Sequence, residues 1–117
     1  MDDTGIHASL SALEADAAAR QADLDDGIAQ LRADRGAESA DDEHDPEGST
    51  LSAEWSRLVG LRDAVARERA DLAAALARWD AGTYGVCADC GAAIPRERLA
   101  ARPMATRCVA CAARAGE

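Results

Sequence analysis

From Ile6, steps of four and three residues lead through Leu10, Leu13, Ala17, Arg20, Leu24, Gly27 and Leu31, and six of these eight positions are apolar. Ile28, beside Gly27, widens the stripe. A second run is more regular: Leu51, Trp55, Leu58, Arg62, Val65, Arg69, Leu72, Leu76 and Trp79, seven apolar of nine. Steps that alternate between four and three describe a coiled-coil seam, not the period of about two that a half-buried strand requires. The pattern predicts two long amphipathic helices, the first over about 5–35 and roughly 45 Å long at about 1.5 Å per residue. Gly27 weakens that helix by about 1 kcal/mol relative to Ala. Arg62 and Arg69 interrupt the second seam, where their stems can pack while the guanidinium groups reach acids such as Asp16, Asp23 or Asp26 on the other helix. Gly82, directly after Ala81, is placed to end the second helix as a left-handed cap.

Residues 36–50, Gly-Ala-Glu-Ser-Ala-Asp-Asp-Glu-His-Asp-Pro-Glu-Gly-Ser-Thr, contain no large apolar side chain and cannot form core. Such a segment closes an antiparallel helical hairpin and stands at its tip. The second helix starts either with Asp45 as N-cap and Pro46 at the first helical position, or with Thr50 as the cap. Glu38, Asp41, Asp42, Glu43, Asp45 and Glu47 read from composition as a solvated acidic segment, and their spacing does not match a calcium-binding loop. His7 and His44 read as solvated, since neither has an evident second partner for metal or acid–base work.

Chemistry concentrates after the second helix, in Cys87-x-x-Cys90 and Cys108-x-x-Cys111, separated by 17 residues. Two cysteines three apart on a tight turn aim both sulfurs at one point, and Gly91 lets the backbone turn closely after the first pair. After the second pair, Ala112 fits entry into a short helix. The pattern predicts one tetrahedral zinc site with Cys87, Cys90, Cys108 and Cys111 as ligands. A site filled by four thiolates has no open coordination position, so catalysis at the metal is not expected. Two disulfides would need an oxidising compartment, whereas the first residues have neither the basic start nor the apolar run of a secretory signal. A redox pair would be expected beside a βαβ pattern, which is not visible; an iron–sulfur cluster is a minor alternative.

The 117 residues include no Phe, two Trp and one Tyr, too few large side chains for a sizeable globular core. No apolar run approaches the roughly 20 residues of a membrane span, so a soluble, cytoplasmic protein is expected. The net charge of −9 is unevenly spread: residues 1–50 hold 14 acids against 3 Arg, and residues 81–117 hold 3 acids against 5 Arg. That acidity disfavours direct, sequence-specific binding to a phosphate backbone. Arg96, Arg98, Arg102, Arg107 and Arg114 form either a solvated surface or a basic patch on the cysteine-rich part. Tyr84, Ile94 and Leu99 are expected to pack around the metal, with Trp79 joining them from the helix side. No nucleophile–base pair, phosphate loop or open metal site is present, so the chain does not read as an enzyme.

The stretch Gly82-x-Tyr84-Gly85-x-Cys87-x-x-Cys90-Gly91-x-x-Ile94, then Arg98-Leu99-x-Ala101-Arg102-Pro103 and Cys108-x-x-Cys111, resembles the zinc finger of the DksA/TraR family. The hairpin with an acidic, Asp-Pro-containing tip extends the resemblance upstream. It implies a mainly α fold: an antiparallel coiled-coil hairpin over 1–81, with its tip at about 36–50, and a small four-cysteine zinc finger over 82–117. It also implies a bacterial transcription regulator that binds RNA polymerase, with the finger at the base of the hairpin and the coiled coil in the secondary channel. The tip acids would then lie near the catalytic magnesium.

On that resemblance Asp45 matches the first functional tip aspartate, since both precede proline, while Gly48 stands where the second would fall and Thr50 where an apolar tip residue would. Asp42, Glu43 and Glu47, with Asp41, are then the other candidate tip charges. Arg98 and Arg102 match two basic finger positions that would meet the polymerase or, in some members, help hold guanosine tetraphosphate. Asp71 and Ala112 occupy places where DksA has lysines, so this alarmone is not expected to bind in the DksA manner. The alternative function is a zinc-stabilised interaction or oligomerisation module with no role in transcription.

Overall fold

The computed structural model describes residues 3–38 and 46–117; of the side chains at 3, 4, 37, 38 and 46–49 nothing further is described. Two long helices, α1 (Asp3–Glu38) and α2 (Pro46–Ala81), are followed by two short ones, α3 (Arg96–Ala101) and α4 (Val109–Arg114). Among the described residues strand pairing is limited to one antiparallel bridge, Val86 with Ala93. The fold is thus mainly α with a four-cysteine cluster at its C-terminal end. Helix α1 runs beyond the 5–35 expected of it, and α2 begins at Pro46, so Thr50 lies inside the helix and does not cap it. A proline serves the first helical position well because its missing N–H has no partner there in any case.

The chain divides into two compact units, Asp16–Arg69, and Met1–Ala15 with Ala70–Glu117. In the first unit α1 and α2 are antiparallel. From residues 20–21 to 32 of α1 the partners on α2 run back from 68–69 to 55: Arg20 with Glu68 at 2.9 Å, Arg69 with Gln21 at 2.6 Å, Arg62 with Asp25 at 4.0 Å, and the Arg32 guanidinium 5.4 Å from the Trp55 ring centroid. The acids expected to serve Arg62 and Arg69 were Asp16, Asp23 and Asp26. Instead Asp25 faces Arg62, Gln21 accepts from Arg69, and Asp16 pairs along its own helix with Arg20 at 3.1 Å.

Among the described residues of this unit, Ala17, Ile28 and Val65 are the buried apolar ones. The seam therefore passes through Ile28, not Gly27. From Ala17 to Ile28 is 11 residues, close to three turns of a straight helix at about 3.6 residues each, whereas strict four-three stepping winds at about 3.5. Gly27 stays on the flank, where an added Cβ would sit 3.5 Å from Leu58 Cδ1, an ordinary contact.

The second unit holds the denser core: Ile6, Leu10, Leu72, Ala75, Cys87, Ile94, Leu99, Cys111 and Ala112 are buried. Leu10, Leu72, Cys87 and Cys111 are the largest side chains fully enclosed. Helix α2 ends as the sequence predicts. Gly82 has φ +76°, its N–H reaches the Trp79 carbonyl at 3.1 Å, and the Thr83 N–H reaches the Arg78 carbonyl at 2.9 Å. That pair of bonds satisfies carbonyls that a helix end leaves without intrahelical partners, and the left-handed residue it needs costs glycine little. The turn delivers Tyr84 against Trp79, ring centroids 5.4 Å apart, and His7 also lies 5.1 Å from Trp79. His7 is half-buried and packs at a tilt against Trp79, not solvated as its sequence context suggested.

Candidate metal centre

Both cysteine pairs are held by turns that their sequences encode. The Cys87 N–H bonds the Ala92 carbonyl at 2.8 Å, and the Ile94 N–H bonds the Gly85 carbonyl at 2.7 Å, so residues 85–94 fold into a narrow loop. At its end Gly91, with φ +75°, donates to the Cys87 carbonyl at 3.0 Å. The second pair uses a helix start. Cys108 is the N-cap of α4, its carbonyl accepts the Ala112 N–H at 2.9 Å, and Cys111 lies within the first turn. The helix expected after Cys111 thus already begins at Val109. The Ala88 N–H to the Thr106 carbonyl, at 2.8 Å, ties one loop to the other.

The four Sγ atoms lie within 4.8 Å of one another, and Cys90 and Cys108 Sγ are 3.9 Å apart. A zinc ion with four sulfurs at about 2.3 Å has tetrahedral edges of about 3.8 Å. A disulfide would bring two sulfurs to about 2.05 Å, and all four cysteines are free. Cys87, Cys90, Cys108 and Cys111 therefore fit one structural zinc ion. Cys87 and Cys111 form the closed side of the site, at 2% exposure each, while Cys90 is exposed and Cys108 half-buried.

Electrostatics agree with a cation here. Backbone N–H groups, first that of Cys90 and then that of Cys108, hold the Cys87 thiol down at about 6. The Cys111 N–H lowers Cys108 in the same way. Cys111 is pushed up to about 12, first by the neighbouring Cys108 side chain and then by burial, because four sulfurs this close cannot all carry charge unaided. Zinc(II) supplies the missing positive charge and displaces the protons.

The rest of the finger fixes these loops. Tyr84 donates its hydroxyl to the Pro103 carbonyl at 2.7 Å, and burial raises its pKa while the Arg78 cation opposes the rise. Arg107 bridges Asp89 at 2.8 Å and Glu117 at 2.9 Å, joining residues adjacent to Cys90 and Cys108. Arg98 Nε donates to the Arg107 carbonyl at 2.8 Å, so part of its guanidinium is committed within the finger. Arg102 is exposed near it, beside a shallow groove of about 340 Å³ lined by Arg98, Pro103, Met104 and Thr106. Arg114 donates to Cys111 Sγ at 3.0 Å, a contact that sequence patterning missed because a surface arginine and a ligand-contacting arginine look alike in a string. Of the candidate tip acids, Asp42, Glu43 and Asp45, with Asp41, lie outside the described residues, and Glu47 is in the first turn of α2. Asp71 is exposed on α2.

Residues 82–115 match the model of the prokaryotic dksA/traR C4-type zinc finger. Among solved structures, the transcription factor DksA2 from Pseudomonas aeruginosa superposes with a TM-score of 0.82 at 19% identity, over 97% of this chain and 81% of that one. At that identity the likeness speaks for the fold. No curated protein sequence matches the chain. No helix among the described residues is long and apolar enough to cross a membrane.

Proposed function

We propose that this DksA/TraR-family zinc-finger protein is a non-catalytic transcription regulator that binds RNA polymerase, its paired helices entering the secondary channel. The observation that carries the reading is the combination of the finger match over residues 82–115 with a fold likeness to a transcription factor over 97% of the chain. Neither half alone would suffice, since four-cysteine fingers occur in many settings and helical hairpins are common.

In this reading the zinc site is structural. Its four positions are filled by thiolates, which leaves none for substrate or water. Regulatory chemistry is supplied by carboxylates, with Asp45 the leading candidate and Asp42, Glu43 and Glu47 contributing charge near the polymerase magnesium. Gly48 removes one carboxylate from the family pattern, so the effect on promoter complexes depends more heavily on Asp45 and its acidic neighbours. Arg102, exposed beside the finger groove, is the better placed of the two arginines to meet polymerase, because Arg98 already bonds the Arg107 carbonyl. The exposed carboxylate of Asp71 disfavours a polyphosphate at that position, so guanosine tetraphosphate is not bound in the DksA manner.

Purified chain mixed with core RNA polymerase is expected to form a stoichiometric complex, and Asp45→Asn is expected to retain binding while changing initiation at responsive promoters. No complex at micromolar concentrations would overturn the reading and favour an interaction module unrelated to transcription. Binding with no effect of Asp45→Asn would move the active carboxylate to another tip acid.

A further inference from the structure

Of the zinc thiolates, Cys111 is the one that a charged side chain touches. A filled site carries two excess negative charges, since four thiolates exceed the charge of zinc(II), and buried sulfur cannot shed that excess to water. Backbone N–H groups, first that of Cys90 and then those of Cys108 and Asp89, favour the Cys87 thiolate, and the Cys111 N–H favours that of Cys108. Those donors come with the turn geometry and survive any side-chain change. At Cys111, which is 2% exposed, the donor is a side chain: Arg114 Nη2, 3.0 Å from Sγ. The spacing follows from the helix, because residues three apart on α4 share a face and Arg114 is the last residue of that helix.

We infer that Arg114 is a positioning residue of the zinc site, whose guanidinium holds the Cys111 thiolate on the metal and slows release of zinc from the finger. A hydrogen bond to a ligating sulfur withdraws electron density from it and fixes its direction, and bonds of this second layer typically change metal affinity by about 10–100-fold. A guanidinium suits the place because it stays charged at any relevant pH and presents several donors on a rigid plane. Lysine at 114 would supply charge with less directional control. The inference concerns only the finger and stands whether or not the chain binds polymerase.

The test uses the full chain loaded with zinc or with cobalt(II). Arg114→Gln is expected to transfer zinc to a chromogenic chelator about tenfold faster, with Arg114→Lys in between. In the cobalt form, loss of the hydrogen bond raises the energy of the sulfur electrons. The thiolate-to-metal charge-transfer band of Arg114→Gln should therefore move to longer wavelength while the tetrahedral d–d bands stay. The second readout separates the two ways zinc could leave faster: a helix α4 that merely frays would speed release without moving the charge-transfer band of the loaded site. An unshifted band in Arg114→Gln, or zinc release at the wild-type rate, overturns the inference. Should Arg114→Gln fail to load metal, the same two readouts on Arg114→Lys decide it, with wild-type values on both counting against.

Discussion

The unit Asp16–Arg69 and the unit that carries the finger solve the problem of holding two helices together in different ways. In the first, the buried apolar side chains among the described residues are Ala17, Ile28 and Val65, and polar ties run between the helices. Pairs such as Arg20 with Glu68 are partly exposed to solvent, which screens them, so each contributes little. In the second, Leu10, Leu72, Cys87 and Cys111 are wholly enclosed, and two cysteine pairs 17 residues apart converge on a site that fits one zinc ion. A sequence without Phe cannot build a large core twice. It concentrates burial and metal binding in one unit and leaves the other to helix propensity, a thin seam and charge.

Removing the metal is expected to separate the two units most strongly. Chelation of zinc, or Cys87→Ser, is expected to unfold the finger, since structural zinc sites of this kind contribute about 10–16 kcal/mol of apparent binding free energy in finger peptides. Each unit has its own tryptophan as reporter: Trp79 packs at a tilt against Tyr84 and His7, and Trp55 lies by Arg32. In single-tryptophan variants, Trp79 emission should change on chelation while Trp55 emission does not. A simultaneous change at both would mean that the helical unit has no stability of its own.

Next in size is a matched pair of truncations. Leu72→Ala empties a fully buried site and should cost about 2–5 kcal/mol in denaturant unfolding. Leu61→Ala, at 44% exposure in the other unit, should stay within about 0.5 kcal/mol. The smallest contrast is in the glycines. Gly85→Ala, at φ +81° with Leu99 Cδ1 only 3.3 Å from the new methyl group, should cost about 1–2 kcal/mol. Gly27→Ala and Gly60→Ala, on helical backbone with room for the methyl, should each stabilise by about 1 kcal/mol. Opposite signs for the same chemical change would separate a unit constrained by its turns from one limited by its helix propensity.

The finger was legible in the sequence because its constraints are local. Cysteine spacing, Gly82 and Gly91 each specify a backbone geometry within a few residues, and the Gly82 cap and Gly91 turn appear as those residues dictate. The two helices were legible from their period. Their registry was not, because the four-three count places Gly27 where the helix places Ile28, and a one-residue drift also changes which acid an arginine meets. His7 on Trp79, Arg98 on the Arg107 carbonyl and Arg114 on Cys111 were hidden for a related reason. Each is a contact made by a polar side chain whose alternative is water, and composition does not distinguish the two.

The proposed action on RNA polymerase runs through the acidic residues around Asp45. Photoreactive labels placed one at a time at positions 42–48, in complex with core polymerase, test it most directly. Crosslinks to residues around the catalytic magnesium, lost when zinc is removed, are the predicted result. Labels that never reach the catalytic centre while the chain remains bound would contradict it.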